Sequence, residues 1–278
     1  MQGARGRGYA CRMQVAEFID KHVPALERDE VRHNLMLGLL GRAAKDPGQQ
    51  LLTWTLGGPG ACAIRSPSRP IVLGEVGREH CRALAEGTRE RDYVGVVGPD
   101  LAPKWFVERA MELGDMFADP VPQRIHALRD RPAYPGAPGR ARQVLAQDGP
   151  LFADWLTAFS REAVPDDPVS PRAEIEKVAG EGRHMFWVVD EEPVSMAGIV
   201  RRTRNTAAIA AVYTPPALRG RGFAGSVTAA VAERVFAEGK AAACLYTDLR
   251  NPASNRCYAK IGFKPVCDAW FYRRLAPT

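Results

Sequence analysis

Two short segments hold the residues with the clearest chemistry. Arg219-Gly220-Arg221-Gly222-Phe223-Ala224 lies between an apolar run and a helical pattern, and Asn251 precedes Tyr258 by seven residues, just ahead of Ile261-Gly262-Phe263. Small residues at the start of a helix let the backbone approach an anion closely, with the free first-turn N–H groups aimed at it. The first segment therefore predicts a phosphate-sized anion site built without side chains. A seven-residue spacing is about two helical turns, so Asn251 and Tyr258 are expected on one helix face, looking toward the same place. Together the segments describe one ligand groove.

The elements needed to hold that groove are readable in the C-terminal half. Leu151, Phe152, Trp155, Leu156 and Phe159 recur at helical spacing from Leu151 to Ala163, and a shorter helix is expected around Pro171 to Ala179. Apolar runs at His184 to Val189, Val194 to Val200 and Ala207 to Tyr213 predict an antiparallel meander with a turn at Glu191-Glu192-Pro193. Pro215 and Pro216 end the third strand, and the glycine loop then feeds a helix on which Phe223, Val227, Val231 and Val235 repeat every four residues. Ala242 to Thr247 is a buried strand reached through that helix, so it is expected to lie parallel to Ala207 to Tyr213 in a right-handed crossover. Asn251 caps the last helix, with Pro252 at its first position and Gly262 just beyond its end. Phe263 to Val266 and Ala269 to Arg273 supply closing strands.

The N-terminal half carries a weaker version of the same pattern. A helix is expected over Val31 to Ala43, strands at Gln50 to Leu56, Ala61 to Arg65 and Ile71 to Leu73, and part of a helix at Cys81 to Gly87. Tyr93 to Gly98 followed by Pro103 to Leu113 reads as strand, turn and helix, an echo of the region around Arg219 without its glycine pair and arginines. Between the halves, Asp130 to Gly139 has three prolines and two glycines and cannot sustain a helix or central strand, which makes it the linker candidate. The expected domains are residues 13–130 and 140–278. Residues 1–12 read as disordered, with Met13 a plausible true start.

Composition narrows the function classes. With 278 residues, 46% of them apolar, the chain can bury two ordinary cores. Its net charge of +6 is spread among interleaved acidic residues and forms no basic run, so a nucleic-acid partner is not expected. Six scattered cysteines without Cys-x-x-Cys spacing read as reduced thiols and no metal site is expected. No apolar run reaches the roughly 18 residues of a membrane span, and the basic N-terminus leads into no signal-like core; a cytoplasmic location is expected.

Laid out this way, residues from about Arg140 to Arg273 resemble the GCN5-related N-acetyltransferases, the GNAT superfamily. Arg219, Gly222 and Ala224 stand at the positions of that family's Arg/Gln-x-x-Gly-x-Gly/Ala loop, and Asn251, Tyr258, Gly262 and Phe263 match its later Asn, Tyr and Gly-Phe. The stretch from Asn251 to Asp268 also looks like a two-domain bacterial branch of the family. The resemblance implies an α+β GNAT fold in the C-terminal half, a mostly antiparallel mixed sheet flanked by helices, with a diverged GNAT-like α/β domain before it. Val97-Gly98-Pro99-Asp100 departs from the loop motif, so a second cofactor site is not expected there.

The resemblance further implies acetyl-coenzyme A as co-substrate and an amine as acceptor. Backbone N–H groups of Arg219, Gly220, Arg221, Gly222, Phe223 and Ala224 would cradle the pyrophosphate, with Arg219 or Arg221 adding donors. Pantetheine would pair with the edge of Ala211-Val212-Tyr213, contacted from the opposite wall by Asn251, and Asn255 joins the cofactor-binding set. Tyr258 is the candidate acid for the departing thiolate, and a backbone N–H near Val212 or Tyr213 the oxyanion donor. For the base, Glu162, Asp166, Asp167, Glu191 and a water chain all stay open. Taken alone, Tyr258 beside Cys257 and Ile261 would read as core; its spacing from Asn251 moves it to the groove. His184 reads as packed or half-exposed on a strand, Asp248 as a turn former. Rival readings are a non-catalytic acyl-coenzyme A sensor or interaction module and a transferase for a longer acyl or an aminoacyl group.

Overall fold

The chain builds one succession of elements twice. In this computed structural model, which describes residues 14–46, 48, 50–88, 93–134, 136–163 and 170–275, the first pass is α1 (Val15–Leu26), α2 (Asn34–Lys45), β1 (Leu52–Thr55), β2 (Cys62–Arg65), β3 (Ile71–Leu73), α3 (Arg78–Thr88), β4 (Gly95–Pro99), α4 (Ala102–Glu112) and β5 (Val121–Leu128). After β6 (Arg140–Gln143) the second pass is α5 (Gly149–Ala163), α6 (Arg172–Val178), β7 (His184–Val189), β8 (Glu192–Arg202), β9 (Thr206–Tyr213), α7 (Phe223–Ala237), β10 (Ala242–Asp248), α8 (Pro252–Ile261) and β11 (Lys264–Arg273). Each pass is two helices, an antiparallel three-strand meander, a crossover helix, a parallel fourth strand, a helix and a last strand. The expected α+β class and the repeated GNAT-like architecture are what the chain adopts. Residues 1–12, Met13, Asp166 and Asp167 lie outside the described residues.

Two compact units result. The first takes residues up to Ile125, Asp248–Arg250 and the segment from Val266; the second takes His126–Thr247 and Asn251–Pro265. Against the halves expected at 13–130 and 140–278, the units divide after Ile125 and the closing strand falls in the first. One unbroken strand, β11, replaces the two expected, and from Ala269 to Arg273 it pairs antiparallel with β4 of the first unit. Backbone pairing, which sequence periodicity does not reveal, decides that placement.

The first unit orders its strands β1-β2-β3-β4-β11. One side packs Trp54, Leu73, Leu84 and Phe106 together, the other Phe18, Leu26, Met36 and Ile64. Helix α1, which was not anticipated, buries His22 in its apolar stripe and carries Pro24 in its last turn, and both blur the helical signal.

The second unit orders its strands β10-β9-β8-β7-β6. Asp190 and Glu191 take left-handed backbone angles, so the β7–β8 turn sits one residue earlier than expected and Pro193 falls within β8, opposite Val188. Strand β9 separates two cores, one under α7 with Ile209, Val227 and Val231, the other under α5 and α6 with Phe152, Phe186 and Tyr213. Helix α7 is buried around most of its circumference, from Phe223 and Gly225 through Val235. Its outer cover is the proline-rich segment expected to be a linker. Ala133 N donates to Ile261 O, Tyr134 Oη to Glu233, and Trp187 Nε1 to Pro138 O at 2.7 Å.

Candidate active site

The site begins where β9 and β10 part. Their parallel pairing runs through Thr206/Ala242, Ala207/Ala243 and Ala208/Cys244, then stops, although the strands continue to Tyr213 and Asp248. From Ile209 onward the edge of β9 that faces β10 has no ladder partner among the described residues. A buried strand edge of this kind needs a partner or water for its N–H and C=O groups, so the splay has the hydrogen-bonding capacity to take an extended polar chain.

On its other edge β9 carries a bulge. Gly198 faces Ala210 and Met196 faces Tyr213, so β9 spends one more residue than β8 over this stretch, and Ala211 sits at φ 55°. An extra residue flips the faces that follow. Ala207 and Ile209 belong to the core under α7, whereas Ala211 and Tyr213 turn toward α5. Val212 is thereby left half-buried beside the splay. Ser195 Oγ fixes the strand end by donating to Tyr213 O at 2.9 Å.

The loop follows at once. Arg219 Nε donates to Thr214 O at 2.9 Å, its Nη2 meets Glu162 Oε2 at 2.7 Å, and its guanidinium lies 5.8 Å from the centre of the Tyr213 ring. Gly220 and Gly222 both take left-handed angles, 81° and 84°, and Gly222 is the N-cap of α7. The first helical bond is Ser226 N to Gly222 O, so the N–H groups from Gly220 to Gly225 have no backbone acceptor among the described residues. These are the free first-turn donors expected to follow the glycine pair. Arg219 is engaged with protein oxygens; Arg221 is exposed.

Across the splay, Asn251 Oδ1 accepts Ser254 N at 3.1 Å and so caps α8. Asn255 spends both ends of its amide inside the same turn, donating to Asn251 O and accepting from Thr247 Oγ1. Two turns along, Tyr258 is 8% exposed and packs edge-on to Phe263 at 6.1 Å. Its hydroxyl has no hydrogen-bond partner among the described residues, and burial pushes its pKa well above the ordinary phenol value, so it stays protonated.

Residues 186–271 match the family model described as FR47-like protein, a GNAT-related family. A Drosophila protein of solved structure superposes with a TM-score of 0.70 at 12% identity, covering 96% of this chain and 99% of its own. A GCN5-related N-acetyltransferase from Kribbella flavida gives 0.59 at 14% identity, over 88% and 96%. A tandem GNAT protein from the clavulanic acid biosynthesis pathway gives 0.51 at 16% identity, over 87% and 88%. The fold is the GNAT fold. No curated protein matches the sequence.

Of the carboxylates considered as a base, the two among the described residues are engaged. Glu162 holds Arg219, and Glu191 holds Arg140 at 2.7 Å. Asp248 forms the turn expected of it, accepting Arg250 N at 2.8 Å. His184 is packed on Phe152 and occupies the space a side chain at Gly198 would need; burial lowers its pKa to about 4, so it is neutral. No helix among the described residues is long and apolar enough to cross a membrane, and no group of three His, Cys, Asp or Glu among them could hold a metal ion.

The echo around Tyr93 falls one element out of register. By element order the counterpart of β9, its loop and α7 is β3, Gly74–Gly77 and α3, while β4 and α4 correspond to β10 and α8. Sequence reading also missed the bulge at Ala211 and the Glu162–Arg219 pair. The first has no sequence signature, and the second joins residues 57 apart.

Proposed function

We propose that the second unit transfers an acetyl group from acetyl-coenzyme A to an amine. The observation that carries this reading is a single pairing of features: an unladdered strand edge for an extended amide chain, ending at a loop whose N–H groups face outward unpaired. Acetyl-coenzyme A has matching parts, pantetheine for the edge and pyrophosphate for the loop. GNAT likeness of the fold supports acyl transfer as the chemistry, and the FR47-like match spans both halves of the motif.

In this mechanism the N–H groups from Gly220 to Gly225 and the α7 dipole hold the pyrophosphate. Pantetheine hydrogen-bonds to the free edge of Ala211, Val212 and Tyr213, with Asn251 on the opposite wall, its Nδ2 left over from capping. Asn255 supports that wall by fixing the turn. The neutral amine attacks the thioester carbonyl carbon, and the resulting oxyanion accepts a backbone N–H that the bulge turns toward the slot. When the C–S bond breaks, the thiolate takes a proton from Tyr258. A free thiol has a pKa of about 8.5 against about 10 for a phenol, and burial widens the gap, so tyrosinate cannot persist. It is reprotonated by the proton the amine nitrogen sheds, and the sum is amine plus thioester giving amide plus thiol.

Engagement of Glu162 and Glu191 in ion pairs favours one rival, a coenzyme A-binding module without turnover. Calorimetric titration with acetyl-coenzyme A, beside a Gly222→Glu variant, tests the binding half. Saturable binding lost in the variant is expected; no binding by the unmodified protein rules the reading out. Amine-dependent release of coenzyme A that Tyr258→Phe abolishes separates enzyme from sensor.

A further inference from the structure

The segment Ala133–Gly139 carries no motif, yet it is anchored on both sides of the anion loop. Its path along the second unit is set by named contacts. Ala133 N bonds the last residue of α8, Ile261, at 2.9 Å, and Tyr134 Oη bonds Glu233 near the end of α7 at 3.0 Å. Three residues later, Ala137 Cβ lies 3.4 Å from where a Cβ on Gly222 would stand, at the opposite end of the same helix. Trp187 Nε1 then holds Pro138 O, and Gly139, at φ 111°, presses so closely on Val188 O that no side chain fits there. The segment is therefore a strap along α7, ending against the N-cap of the anion cradle.

Helix α7 explains why the strap is there. Apolar residues around most of its circumference would face water on the outer side without a cover. The cover also meets a mechanical need of the loop. Two left-handed glycines give residues 219–222 wide conformational freedom, and the direction of the free N–H groups depends on where Gly222 sits. Ala137 packs on the core beneath that residue and closes the space beside it, where an added Cβ would already be in van der Waals contact. Prolines at 132 and 138 lower the entropy lost when such a segment is fixed.

We propose that residues 133, 134 and 136–139 are positioning residues of the donor's phosphate site, limiting the movement of Gly222 so that the cradle is preformed for pyrophosphate. The inference rests on the acetyl-coenzyme A reading above. Ala137 is its contact residue, and the Tyr134–Glu233 and Trp187–Pro138 bonds are its pins. It assigns to the strap an effect on the charged end of the donor alone; the thioester end lies along β9.

The test compares acetyl-coenzyme A with S-acetylpantetheine, which lacks the phosphates, as calorimetric ligands for the full chain. Ala137→Leu pushes a larger side chain against the loop, and Tyr134→Phe removes only an exposed hydroxyl, so it should fold even where Ala137→Leu does not. Loss of one hydrogen-bonded pin is expected to weaken acetyl-coenzyme A by up to about fivefold, with Ala137→Leu weaker still and S-acetylpantetheine unchanged. Hydrogen exchange adds a readout independent of variants: acetyl-coenzyme A should slow amides at 133–139 together with those at 219–225. The proposal is overturned if Tyr134→Phe binds both ligands like the parent and only 219–225 is protected. It is overturned equally if both ligands weaken together, the mark of general destabilisation. No binding by the unmodified protein, with unchanged exchange throughout, removes the donor reading and this inference with it.

Discussion

Two loops occupy the same place in the repeated element order and pair their N–H groups differently. In the second unit, residues 220–225 leave their N–H groups without a backbone acceptor at the start of α7. In the first, Gly74 N donates to Cys62 O, Glu75 N to Gly60 O and Val76 N to Gly74 O, so the donors just ahead of the helix are consumed, while those from Gly77 to His80, before the first helical bond Cys81 N to Gly77 O, have no backbone acceptor among the described residues, as in the second unit. A Cβ on Gly74 would stand 2.7 Å from Gly60 O, which shows how tightly that loop is folded down. Glu75 adds a carboxylate to this loop, on His33 at 3.3 Å. The strands differ in the same sense. A Cβ on Gly98 of β4 would stand 3.0 Å from Leu73 Cβ of β3, so these strands stay close just beyond their ladder at Ile71/Val96 and Val72/Val97. Counting from the first helical residue, Leu101 and Glu108 stand where the second unit has Asn251 and Tyr258. The two loops thus differ in the donors just ahead of the helix and in one carboxylate, and on the proposed reading only the second takes the donor.

The sharpest way to break this contrast is to charge both loops. Gly222→Glu forces a non-glycine residue to φ 84° beside Ala137 and adds a like charge, and should weaken acetyl-coenzyme A more than about a hundredfold by calorimetry, since several charge-assisted bonds fail together. Gly77→Glu, with no neighbour closer than 4.0 Å to the new Cβ, should leave affinity unchanged at one donor per chain. A stoichiometry of two would overturn the reading that only the second unit takes the donor.

Next in size is the acid. Tyr258→Phe should lower turnover by about 10² to 10⁴ with donor affinity retained, the range for one proton donor, whereas Glu108→Gln at the corresponding place should change neither. Steady-state rates of coenzyme A release over a donor titration measure both.

A feature shared by the units should respond to acid in the same direction. Burial lowers the pKa of His184, and of His22 in the first unit, to about 4 from an ordinary 6.5. Between those values the unfolded chain binds protons that the folded chain refuses, so stability is full above pH 6.5 and falls as pH drops toward 4, by up to ~3 kcal/mol per histidine. Urea unfolding from pH 7 to 4.5 should show this, and His184→Leu should flatten its part of the slope.

The smallest effect concerns the α8 cap. Asn251→Ala removes the bond to Ser254 N and should cost about 1 kcal/mol of stability in urea melts while also weakening the donor. Leu101, which caps α4 without a side-chain bond, has no such bond to lose: Leu101→Ala should leave donor affinity alone.

Much of this was legible because it is local. Gly220 and Gly222 announce left-handed backbone before a helix, Pro252 and Gly262 bracket α8, and the Val227, Val231 and Val235 repeat marks α7. What stayed hidden is non-local or conformational. The partner of β11 is chosen by backbone pairing with a strand about 170 residues earlier in the chain. Ala211 is an ordinary alanine whose left-handed angle comes from a mismatch between β8 and β9. The strap looks like a linker because prolines and glycines report only the absence of regular structure, and its docking depends on Tyr134 and Ala137 meeting residues far along the sequence.

Strand β11 also has a consequence for how the molecule is made. The first unit closes with residues from Val266 onward, which follow Ile125 by some 140 positions of other sequence. At a synthesis rate of about 5 to 20 residues per second, roughly 8 to 34 seconds separate the appearance of its fourth strand from that of the strand that pairs with it about 170 residues later. Through that interval the edge of β4 emerges from the ribosome uncovered, a template for any passing strand. The nascent chain is therefore the form of this protein most exposed to misassembly, and the one in which a chaperone holding β4 would matter most.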